Sequence, residues 1–207
     1  MAGTAQGIVL SKPAPAGYAR ALRNPLYDTD VLPPPAVTIS QQVFFQRPQG
    51  QANAAGTIKT EADTNLTIGG QLAQPQMFDV FGFQAAVMGP RAAPSIPVLA
   101  DFRLVYMEGV FSFTFGAQRR WLELPMDRVP QGPSRFTTGA PVAVSSAAQG
   151  WPSAKEFYAF VKPTGKPYRI KAGETFQVMW RWPNAAIQAS VATLVRTFIV
   201  GIYYIGL

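Results

Sequence analysis

The chain closes on ATLVRTFIVGIYYIGL, and this segment limits the available folds more than any other. From Thr197 to Leu207 it has 11 residues and no charge, with Arg196 immediately before. A membrane-spanning helix needs about 20 apolar residues at about 1.5 Å each, so the run covers only about half of a hydrocarbon core. Its β-branched and aromatic content instead predicts a long strand. Alternation puts Val195, Thr197, Ile199, Gly201, Tyr203 and Ile205 on one face, and Leu194, Arg196, Phe198, Val200, Ile202 and Tyr204 on the other. Both faces are mostly apolar. One can enter a sandwich core, which leaves the second to be covered by an arm, a neighbouring molecule or lipid.

Upstream, the same period of two recurs. In ETFQVMWRWP, Phe176, Val178, Trp180 and Trp182 point one way, while Thr175, Gln177, Met179 and Arg181 point the other. In QPQMFDVFGFQAAVMGP the parity shifts between Val80 and Phe81, and Gly82 marks the place for a β-bulge. ADFRLVYMEGVFSFTFG reads as a further long strand re-phased at Gly109, and AVTISQQVFFQ as a shorter one. TIKTEADTNLTIGG fits an edge strand or an extended loop, and residues 129–154 read as a binding or interface loop. No stretch carries a sustained amphipathic helical pattern. The expected fold is all-β: an antiparallel β-sandwich over residues 36–207, preceded by an extended, proline-rich arm over residues 1–35.

Composition narrows the function. Charged residues make up 14% of the 207 residues, against about 25% in ordinary soluble domains, which suits a surface covered by neighbours. The formal net charge of +7 favours an anionic contact. The chain has no cysteine and no histidine, so disulfides, thiolate metal sites and imidazole catalysis are excluded. Asp28–Asp30, in the run DTD, lacks the third ligand, the glycine and the closing glutamate of a calcium loop. No glycine-rich loop carries the Gly-Lys-Ser/Thr phosphate signature. No catalytic, metal-binding or cofactor-binding residue is expected, and the chain is read as a non-enzyme without a small-molecule substrate. The N-terminal residues lack the charged start and long apolar run of a signal peptide.

The Pro/Ala-rich arm, DTNLTIGGQLAQPQMFDVFGFQ, IKAGETFQVMWRWP and VRTFIVGIYYIGL together resemble the single jelly-roll coat proteins of viruses, especially of tailless icosahedral phages with an internal membrane. That resemblance implies about eight strands in two sheets, a location in the virion, and self-assembly into a capsid through edges, loops and the arm. The implied partners are many copies of this chain and other virion proteins, with non-specific contact to anionic lipid headgroups or a packaged genome. The expected interface residues are Tyr18, Leu22, Tyr27, Leu32 and Trp151. The alternative is a carbohydrate-binding β-sandwich module of a phage fibre or secreted protein, with Trp151 as its sugar platform.

Overall fold

The computed structural model describes residues 15–22, 24–33, 37–89, 104–116, 120–130, 158–160, 162, 164–189 and 192–206. Their strands are β1 (Tyr18–Leu22), β2 (Leu26–Leu32), β3 (Gln41–Phe44), β4 (Met77–Gly89), β5 (Val110–Phe115), β6 (Arg120–Pro125), β7 (Tyr158–Ala159), β8 (Tyr168–Lys171), β9 (Phe176–Arg181) and β10 (Thr193–Gly206). Helical structure among these residues is limited to one turn at 104–107 and a 3-10 turn at Met126–Arg128. The fold is all-β, as the period of two predicts.

The strands form two antiparallel sheets. One runs β3-β9-β5-β6. The other is six-stranded, with β10 and β4 at its centre. β1 pairs with the far end of β10, at Tyr203–Gly206, while β2 pairs with its near end, at Thr193–Ile199. The two therefore lie end to end along one side of β10. On the other side of β4, β8 pairs with Met77–Val80 and β7 with Gly82–Phe83.

The core between the sheets is aromatic. Phe83 of β4 packs its ring 5.2 Å from Phe111 and 4.9 Å from Phe113 of β5. Phe44 sits 4.8 Å from Trp180. Phe176, Val178, Trp180 and Trp182 are all buried, in the alternation expected of them. On β10, Val195 and Ile199 enter this core, and Tyr203 packs against it.

The bulge expected near Gly82 is present. Val200 pairs with Gly82 but Gly201 pairs with Val80, so Phe81 has no opposite number on β10. The extra residue turns Phe81 to the outer side of the sheet, where it packs against Met77, Ile202 and Tyr204. Phe83, Ala85 and Val87 remain inside.

Two expectations are corrected. The arm predicted over residues 1–35 is, from Tyr18 to Leu32, part of the sheet. Its prolines do not prevent this, because Pro25 lies between β1 and β2 and the pair forms an edge, where a missing amide donor is tolerated. The stretch read as a strand up to Gly109 is instead helical at 104–107, and β5 begins at Val110. Gly109 packs closely here: a Cβ on it would lie 2.3 Å from the Val105 carbonyl.

Candidate interaction surface and buried charge cluster

The outer face of the six-stranded sheet carries the second apolar side of β10. At its far end, Ile202 and Tyr204 are buried by Met77 with Tyr18, Ala21 and Phe81 packed around them. Nearer the start, Leu194, Phe198 and Val200 are half-buried. Polar groups pin the ends of this face. Asp79, 4% exposed, accepts two hydrogen bonds from Arg169, at 2.7 Å from Nε and 2.9 Å from the terminal nitrogen. It accepts a third from the Tyr204 hydroxyl at 3.1 Å. Burial first, and the Asp79 carboxylate second, push the Tyr204 phenol above its ordinary pKa. Arg196 lies over the Tyr27 ring at 5.4 Å and over the Phe198 ring at 6.0 Å, and donates to Thr29 Oγ1 and the Ala62 carbonyl.

The structure separates the expected interface residues. Tyr18 is half-buried, with its ring edge-on to Tyr204 at 6.1 Å. Leu22 is half-buried opposite Tyr203. Tyr27 lies on the outer face opposite Phe198, with its hydroxyl donating to the Glu61 carbonyl. Leu32 is 1% exposed and belongs to the core, so it offers nothing to a neighbour. Trp151 lies outside the described residues, as does most of the 129–154 loop. The structure adds Phe198, Val200 and Leu194 to the surface set.

A second cluster lies inside. On β2, Leu26, Asp28, Asp30 and Leu32 share the side that faces the core, because Leu26 and Leu32 belong to it. The two carboxylates are therefore carried inward and are fully buried. Residues 46–73 fold over them as loops held by isolated bridges, including Asp28 to Thr64. This loop supplies Lys59, whose side chain is 1% exposed and whose Nζ lies 2.7 Å from Asp28 Oδ1 and 3.8 Å from Asp30 Oδ2. The Phe45 amide donates to Asp28 Oδ2 at 2.6 Å. The Val31 and Ala54 amides donate to Asp30 Oδ1 at 2.8 and 3.0 Å. Arg47, half-exposed, approaches Asp30 Oδ2 at 3.6 Å. Burial, partly offset by Lys59, pushes Asp28 up from 3.8 to about 6.

Sequence reasoning weighed DTD only as a calcium loop and missed this cluster. Alternation was the available signal, since two acids at positions i and i+2 of a strand with apolar neighbours at the same parity must both point inward. Among the described residues, no three acidic side chains form a group able to hold a metal ion. Among them, too, no helix is long and apolar enough to cross a membrane. No protein-family model matches this chain, and comparison with curated proteins and with solved structures finds no match.

Proposed function

We propose that this chain is a self-assembling structural subunit of a virus particle, built on a single jelly roll. The observation that carries the reading is strand order. Taken as one position each, β1 with β2 and β7 with β8 reduce the strands to eight. The sheets then run 1-8-3-6 and 2-7-4-5 in chain order. Counted this way, the order supports a jelly-roll winding, an architecture shared by capsid and lectin domains. The low charge of the chain and the half-buried apolar row Leu194, Phe198 and Val200 favour assembly over solitary binding. The tryptophans whose side chains are described, Trp180 and Trp182, are core residues and offer no platform for a sugar ring. Copies of the chain and other virion proteins are the partners, and the +7 charge suits anionic headgroups or a packaged genome. The role is structural, without catalysis.

Light scattering after size exclusion, followed by negative-stain microscopy of purified protein, tests the proposal. Rings, shells or large discrete oligomers are expected. Phe198→Glu, on the outer face, reduces their yield while leaving the far-ultraviolet circular dichroism unchanged. A stable monomer that binds glycans on an array overturns the reading and selects the carbohydrate-binding alternative.

A further inference from the structure

We propose that Lys59 and Asp28 become joined by an intramolecular amide bond, formed by the chain itself with Asp30 as proton carrier. The inference does not depend on the capsid reading. It rests on three features of the buried cluster. The amine and the carboxylate are in contact, at 2.7 Å, in a site where both side chains are at most 1% exposed. One oxygen of Asp28 is already held by a backbone amide, that of Phe45 at 2.6 Å. Asp30 Oδ2 is buried, accepts no hydrogen bond, and faces Lys59 Nζ at 3.8 Å.

Those features supply the parts of an acyl transfer. The reactive form is the neutral pair, with the Lys59 proton transferred to Asp28 Oδ1, and burial, which penalises both charges, lowers the cost of reaching it. The raised pKa of Asp28 favours the same state. Nζ then attacks Cγ of Asp28 and the Nζ–Cγ bond forms. Negative charge develops on Oδ2, where the Phe45 N–H stabilises it as an oxyanion-hole donor does. Asp30 takes a proton from the nitrogen and returns it to Oδ1. The Cγ–Oδ1 bond breaks and one water leaves. The atoms balance as amine plus acid giving amide plus water, with no oxidant, reductant or co-reactant. Fixed contact between the two groups supplies the effective concentration that makes such a step accessible. Solvent exclusion opposes the reverse hydrolysis.

Tandem mass spectrometry of the purified wild-type protein tests this directly. Chymotrypsin in denaturant cuts between the two residues at Phe44 and Phe45. The expected product is a branched peptide joining the Asp28 and Lys59 fragments, lighter than their sum by the mass of one water. Recovery of the two fragments only as separate, unmodified peptides overturns the proposal. Lys59→Arg keeps the charge and gives no branched peptide. Asp30→Asn, nearly isosteric, leaves the fragments separate while the circular dichroism stays native. Complete linkage in Asp30→Asn overturns the role given to Asp30.

Discussion

Phe83 joins the two sheets through rings at Phe111, Phe113 and Phe160 and is fully buried. Phe83→Ala therefore leaves a cavity at the centre of the core and costs about 3–5 kcal/mol, read as a lower urea midpoint. Gly201 fails in the opposite way. A Cβ there would stand 2.0 Å from the Asp79 carbonyl and 2.5 Å from the Phe78 ring. Gly201→Ala overpacks the centre of β10 and lowers stability by about 1–3 kcal/mol. Asp28 gives a pH signature. Where the amide is not formed, its folded pKa of about 6 lies above the ordinary 3.8. Between those values the native state holds a proton that the unfolded chain has released, so stability falls as pH rises through the window. Asp30→Asn shows this fall in its melting temperature. Linked wild-type protein lacks that component, because an amide does not titrate there. Lys59 and Asp30 are the charged groups facing Asp28, with Arg47 approaching Asp30, and Lys59→Arg separates the link from the charge.

At the scale of elements, β10 accounts for most of the order. It holds β4 along one side and β1 and β2 along the other. A truncation that removes residues 1–30 deletes β1 and most of β2 and exposes the edge of β10. It abolishes cooperative unfolding. Removing residues 1–14 leaves every described strand in place and preserves the circular dichroism, so any loss of assembly in that variant reports on the segment ahead of the sheet. β9 was legible because its alternation is unbroken, and β10 because its β-branched and aromatic residues favour a strand. The β4 bulge was legible because a parity change coincided with a glycine. β1 and β2 were not, since proline content signals a break in pattern equally in a free arm and in a sheet edge. The turn at 104–107 was missed because its aromatic and branched residues match strand preference as well.

For the whole molecule, assembly and covalent closure are separable. The proposed link joins residues 31 positions apart, and closing a loop of that size stabilises by about 3–4 kcal/mol through the unfolded state. Linked protein therefore resists urea better than Asp30→Asn, whereas Phe198→Glu alters assembly and leaves the link intact. The outer-face contacts were half legible: the second apolar side of β10 was evident, but its partial cover by Tyr18 and Met77 was not. What the sequence determined by itself is local: the period of two, the shift at Gly82, the low charge, and the absence of thiol and imidazole chemistry. These follow from side-chain type and spacing along the chain. Only the tertiary structure decided that residues 18–32 line β10, that Arg196 reaches Thr29 across 167 positions, and that Lys59 meets Asp28. Such meetings depend on which distant segments share a buried face, and no local preference encodes that choice.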